Sequence, residues 1–180
     1  RLLKVNAANF TLDKIEVTNI PWQLLSKNVK RQYDLLLCRG NSLVYAKSWH
    51  KKVHDLTNAR EVILSSLRNF YDLLKPRGIL WIDITSDEEI SQGPKLSERF
   101  SRQVNGENVE MVWDITHNIQ KRLRIIKGEF TYDNNHYVHA LYSYFMSSDE
   151  LKSLLKSTGF RKVEKVKMKN EIYTILVARK

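Results

Sequence analysis

Tyr33-Asp34-Leu35-Leu36-Leu37-Cys38-Arg39-Gly40-Asn41-Ser42 is a continuous apolar run that stops abruptly at a glycine and two small polar residues. A run without polar alternation reads as a strand buried on both faces, the habit of parallel sheets. In an open α/β sheet, ligands lie beyond the carboxyl ends of the strands, where the backbone leaves the ladder. Gly40 permits close approach at that edge, and Asn41 and Ser42 supply donors and acceptors.

A second run of the same kind, Gly78-Ile79-Leu80-Trp81-Ile82-Asp83-Ile84, closes at Thr85-Ser86-Asp87. Between the two, Ile63, Leu67, Phe70 and Leu74 fall on one face of a helix running from Thr57 to Lys75. Thr57 is placed to cap it and Lys75-Pro76-Arg77-Gly78 to stop it. Strand, helix and strand make a β-α-β unit with a parallel pair, which sets the class as α/β. Upstream, Leu2 to Phe10 reads as a short strand ending at Asn9-Phe10. Pro21-Trp22 reads as a turn, and Lys27 to Gln32 as a charged loop. Past Ser42, the segment bearing Tyr45, Trp49, His50 and His54 reads as a loop with a helical turn, lying over the strand end.

Beyond Asp83 the alternation of helix and strand breaks. Val109, Met111, Trp113 and Ile115 alternate with polar residues, Arg122 to Tyr132 is β-rich, and Tyr137 to Met146 alternates again after Asp133-Asn134-Asn135. These predict three antiparallel strands, an insertion over about residues 105–146, with 86–105 as a flexible polar approach. Ser147 and Glu150 form a capping box before Leu151, Leu154 and Leu155, and Gly159 ends that helix. Phe160 to Met168 and Glu171 to Ala178 then predict a terminal β-hairpin at one edge of the sheet.

At 180 residues the chain is one domain's worth of material. No apolar run approaches the ~20 residues of a membrane span. The single cysteine, Cys38, forms no intrachain disulfide, which points to a reducing compartment and so to the cytoplasm. A net charge of +10 would suit RNA, but the lysines and arginines are dispersed, without an aromatic-glycine pattern. A solvated surface is the favoured reading of that charge over a nucleic-acid face.

The order of these parts, with Cys38-Arg39-Gly40-Asn41-Ser42, Lys75-Pro76-Arg77-Gly78, the Ser147 box with Thr158-Gly159-Phe160, and a final Tyr173-Thr174-Ile175-Leu176-Val177-Ala178, resembles class I S-adenosylmethionine-dependent methyltransferases. Among them it is most similar to the glycine N-methyltransferase group, over Asn6 to Lys180. The resemblance implies a Rossmann-like sheet with an antiparallel β insertion and the C-terminal hairpin. The six glycines, at 40, 78, 93, 106, 128 and 159, nowhere form Gly-x-Gly. The family's glycine-rich loop and the acidic residue after its second strand are therefore expected ahead of Arg1, and the sheet is expected to lack its first two strands. S-adenosyl-L-methionine is the implied cofactor, with Asn9 and Phe10 near the adenine and Arg39 and Gly40 near the methionine end. Asn41 and Ser42 would stand between cofactor and acceptor as the catalytic positions, and Asn41, Asp83 and Tyr142 would meet the substrate. The glycine enzymes carry an arginine shortly after the Asp83 position to hold the substrate carboxylate. Here Ile84, Thr85 and Ser86 follow, so glycine is disfavoured and another small amine is expected.

Methyl transfer to a neutral amine needs alignment and desolvation, not a protein nucleophile. The absence of a Ser-His-Asp or Cys-His pattern is therefore no objection. For a hydroxyl acceptor, His50, His54, His117, His136 and His139 are candidate bases, none singled out by spacing. Cys38 reads as a buried filler, Asp34 as structural, and Trp113, Tyr132, Tyr142 and Tyr144 as sheet packing before an aromatic box. No metal-ligand spacing is present. Two rivals follow from the same residues: a methyltransferase-like binding or scaffold module without catalysis, and an enzyme acting on RNA.

Overall fold

The computed structural model describes residues 18–48, 56–133 and 135–180. The predicted strand at Leu2 to Phe10, and with it Asn9 and Phe10, lies outside the described residues, as do Trp49, His50 and His54.

Trp22–Leu24 is a 3-10 turn that runs into the single helical turn α1 (Leu25–Asn28), where the sequence predicts a turn and a loop. Strand β1 (Tyr33–Cys38) follows, then a 3-10 turn at Ser42–Tyr45 and helix α2 (Ala59–Leu73). Ile63, Leu67 and Phe70 form the buried stripe as predicted. Leu74, the fourth member, is buried too, but as the first residue of β2 (Leu74–Thr85). The start differs as well. Asn58 stands at the helix N-cap in the left-handed region (φ 62°) and makes no side-chain cap, where the sequence suggests Thr57. At Gly78 an added Cβ would lie 2.9 Å from the Lys75 carbonyl oxygen, so the tight entry into β2 admits only glycine.

The parallel pair is in place: Leu35 lies opposite Ile79 and Cys38 opposite Ile82. Helix α3 (Asp87–Ser91) leaves the end of β2 with Ser86 Oγ accepting from Glu89 N at 2.9 Å. Four long strands follow, β3 (Lys95–Val104), β4 (Glu107–Asn118), β5 (Leu123–Tyr132) and β6 (Asn135–Tyr144), forming one antiparallel sheet in that order. The sequence predicts only the last three. Nearly every residue of β3 is exposed, so this edge strand carries none of the apolar alternation that reveals a half-buried strand.

Helix α4 (Ser148–Thr158) begins with Ser147 Oγ accepting from Glu150 N at 3.3 Å and ends at Gly159 (φ 116°). Only half of the predicted capping box forms: the Glu150 carboxylate turns away to Arg122 Nη1 at 2.8 Å and Tyr144 Oη at 3.1 Å. Strands β7 (Lys162–Val166) and β8 (Tyr173–Arg179) are the terminal hairpin. β8 inserts antiparallel to β2, giving the order β1-β2-β8-β7 and leaving β7 at the edge. The two long helices contribute Ile63, Leu67, Leu151, Leu154 and Leu155 to one core with Leu80, Ile82 and Leu176 of the sheet.

Candidate functional site

Cys38 ends β1 opposite Ile82, which brings the next residue of each strand, Arg39 and Asp83, to the same rim. Gly40 (φ 74°) and Asn41 (φ 55°) are both left-handed, and two such residues in succession turn the chain sharply back. Their N–H groups converge on the Asp83 carboxylate, Gly40 N to Oδ2 at 3.0 Å and Asn41 N to Oδ1 at 2.6 Å. Converging backbone N–H groups of this kind make a concavity suited to an anion, here filled by a side chain of the same protein. Arg39 Nε adds an ion pair to Oδ2 at 3.2 Å, and its other arm reaches Glu171. The Arg39 hydrogen bond holds the Glu171 carboxyl below its ordinary range.

Asn41 is buried, and its amide is committed in both directions to Thr85: Nδ2 donates to Oγ1 at 3.0 Å, and Oδ1 accepts from Thr85 N at 3.1 Å. Asn41 and Asp83 thus share one rim, as the parallel pair demands, and both fix its shape. Ser42 is half-buried, with Oγ donating to the Arg39 carbonyl oxygen. Arg39 and Gly40 are the exposed members. The Cys38 thiol is buried, and burial, helped by the Asp83 charge, pushes its pKa up to about 12, which fits a filler and not a nucleophile. Tyr142 lies on β6 opposite Ile125 and is tied to the turn after Ser42 by Ser48 Oγ donating to its carbonyl oxygen at 2.6 Å.

Two features of the site went unread in the sequence. First, residues 18–24 run beside the rim, and Thr18, Asn19, Pro21, Trp22, Ser42 and Tyr45 line a cavity of about 230 Å³. The strap is held by Asn69 of α2, whose Oδ1 accepts from Ser26 N and Oγ at 2.8 Å each and whose Nδ2 donates to the Gln23 carbonyl oxygen at 3.2 Å. A lone asparagine within an apolar helical pattern was the available signal. Second, Glu89 of α3 meets His117 and Arg124 of the antiparallel sheet beside the end of β2, with Arg124 Nη2 at 2.7 Å and His117 Nε2 at 3.1 Å from its Oε1. Burial alone would raise the Glu89 pKa, but the His117 hydrogen bond and the Arg124 charge outweigh it and hold it below the ordinary value. Of the histidines weighed as bases, His117 is buried, while His136 and His139 are exposed on β6. No group of three or more metal-ligating side chains occurs among the described residues.

This fold is shared with solved proteins. An S-adenosylmethionine-bound amino pentose methyltransferase of calicheamicin biosynthesis from Micromonospora echinaspora superposes with a TM-score of 0.67 at 11% identity, over 84% of this chain and 60% of that one. A sugar N-methyltransferase from a Streptoalloteichus species superposes with a TM-score of 0.69 at 14% identity, over 97% of this chain and 66% of that one. The chain has the class I S-adenosylmethionine-dependent methyltransferase fold. In sequence, this methyltransferase-fold chain is 24% identical over 150 residues to a glycine/sarcosine/dimethylglycine N-methyltransferase of Actinopolyspora halophila. The match takes in 83% of this chain and 23% of that protein, so the chain spans about a quarter of the curated relative it matches. No protein-family model matches the methyltransferase-fold chain.

Proposed function

We propose that this chain is the acceptor-side part of an S-adenosylmethionine-dependent methyltransferase acting on a small amine. The observation that carries the reading is the turn at Gly40-Asn41, pinned by Asp83 at the carboxyl end of a parallel strand pair. The fold neighbours, one with S-adenosylmethionine bound, and the N-methyltransferase relative support the same chemistry.

The residues present fit the methionine end of such a cofactor. Gly40 is exposed, and a Cβ there would have only Ser42 Oγ within reach, at 3.8 Å, so the backbone itself forms the mouth of the rim. Arg39 and Gly40 would hold that end, and the cavity beside Ser42 and Trp22 would take more of the molecule. The cofactor, when bound, supplies a methyl group on a cationic sulfur. The protein's part is alignment: Asp83 and the Asn41–Thr85 pair fix the rim, and Ser42 and Tyr142 flank the approach of the acceptor. Ion pairing of Asp83 with Arg39 leaves no uncompensated carboxylate to bind an ammonium, which favours the neutral amine that an in-line displacement requires.

Isothermal titration with S-adenosylhomocysteine tests this. Micromolar binding that weakens in Gly40→Val is the expected result. Absence of heat at saturating ligand would remove the reading, and binding without transfer of a tritiated methyl group to any amine would leave a binding module in its place.

A further inference from the structure

Strand β3 is the outer strand of the antiparallel sheet, paired with β4 alone among the described residues, and eight of its ten residues are exposed. The phase of its free edge follows from the turn that ends it. Asn105 and Gly106 are both left-handed, at φ 52° and 85°, and form the two-residue loop of a hairpin between Val104 and Glu107. Residues flanking such a loop exchange both backbone hydrogen bonds, so the even-numbered residues of β3 bond to β4. His117 N donating to the Pro94 carbonyl oxygen at 2.8 Å is in the same phase. The odd-numbered residues, Lys95 to Gln103, therefore turn their N–H and C=O groups outward, along an edge with no proline and no break in register.

The even-numbered side chains share the apolar face of the sheet, because residues directly opposite one another project to the same side. Phe100 lies opposite Met111, Met111 opposite Phe130 and Phe130 opposite Tyr137, a row that crosses all four strands. Phe130 and Tyr137 stack at 4.8 Å, and Phe100 meets the Trp113 ring edge-on at 5.4 Å. The row stops at the open edge with Phe100 48% exposed. An exposed edge strand of this length is a template for another strand unless proline, a bulge or opposed charges blunt it. The charges of β3 match themselves instead.

We propose that β3 pairs antiparallel with β3 of a second copy of this chain, about a two-fold axis at Phe100, joining two four-stranded sheets into one of eight. An axis normal to the sheet keeps both apolar faces on one side, so even residues meet even ones. Centred on Phe100, the pairing sets Glu98 opposite Arg102 of the second copy, once on each side of the axis, with Leu96 opposite Val104 and Phe100 opposite itself. These are the non-hydrogen-bonded positions, where facing Cα atoms approach to about 4.5 Å and side chains lie closest. Moving the centre by one residue loses the match: at Arg99 two arginines face each other, and at Ser101 Glu98 faces Val104. Strand β6, at the other edge of the sheet, is less open, since its Tyr142 carbonyl oxygen is taken by Ser48 Oγ. Two ten-residue strands make a small interface, so the association is a concentration-dependent equilibrium and not a permanent dimer.

Sedimentation velocity over a concentration series tests the pairing with Glu98→Arg, Arg102→Glu and the double variant. Either single change sets like charges opposite each other on both sides of the axis and should weaken the dimer about tenfold. The double variant exchanges the signs and should restore it. Net charge moves in opposite directions in the two single variants, so weakening in both cannot come from overall repulsion. Glu98 and Arg102 are four residues apart on one strand, about 13 Å, too far to compensate within a chain, so restoration reports contact between copies. Phe100→Cys should give a disulfide-linked dimer on mild oxidation, because facing residues at the axis lie within bridging reach, while the buried Cys38 stays free. A protein that stays monomeric throughout, a double variant as weak as the two single changes combined, or association without the Phe100→Cys cross-link would each overturn the proposal.

Discussion

Asp83 shows how one side chain can set a rim. Its carboxylate is buried and receives two backbone N–H groups and a guanidinium, so removing its charge weakens all three contacts and strands the buried Asn41 N–H. Asp83→Asn should cost about 2 to 3 kcal/mol, the range for hydrogen bonds to a charged group, read as a lower urea midpoint with an unchanged slope. Glu89 gives a pH signal of definite sign. Its folded-state pKa is depressed from the ordinary 4.5, so the stability it contributes is complete above that value and is lost as pH falls through the lower, folded one. Acid titration of stability should therefore steepen below about pH 4.5, and Glu89→Gln should flatten that limb. A variant as acid-sensitive as the parent would mean the pair contributes nothing.

Among the elements, the end of α4 depends on Gly159. Its φ of 116° is costly for any L side chain, and an added Cβ would come within 3.1 Å of the Tyr71 ring. Tyr71 has little room to yield, since it meets Phe160 edge-on at 5.1 Å and lies beneath Lys180 Nζ at 4.4 Å. Gly159→Ala should destabilise by more than about 1 kcal/mol, beyond the simple loss of a left-handed glycine cap. Thermal unfolding checks this, and a neutral result would show that the ring moves freely. At the other end, Ser147→Ala should cost about 1 kcal/mol for one lost cap. It should do so without disturbing Glu150, whose carboxylate serves Arg122 and Tyr144 instead.

At the scale of the whole molecule, the faces of the mixed sheet are unequal. Helices α2 and α4 cover the face bearing Leu80, Ile82 and Leu176, while on the other face Leu35 and Leu37 are 50% and 64% exposed. Among the described residues β1 is an edge strand, and exposed apolar positions on such a strand favour association. Replacing Leu35 and Leu37 with lysine should reduce concentration-dependent sedimentation and leave the melting temperature unchanged. A marked fall in melting temperature would show that this face is covered. No described helix is long and apolar enough to cross a membrane.

The sequence by itself determined the β-α-β unit, the parallel pair, the hairpin and the helix ended by Gly159, because each rests on local periodicity, a cap or a glycine conformation within a few residues. It also placed the rim at Cys38 to Ser42, since an apolar run that stops at glycine marks a strand end wherever the strand goes. Tertiary structure alone decided the rest. The polar edge strand at 95–104 carries no apolar signal and exists only through its pairing with β4. Asn41 and Asp83 become hydrogen-bond partners only because two strands start in a definite register. Glu89, His117, Arg124 and Ser143 meet through a helix and three strands spread over more than fifty positions of chain. No pattern within a short window could bring them together, because what joins them is cross-strand register and the docking of helix α3 against that sheet.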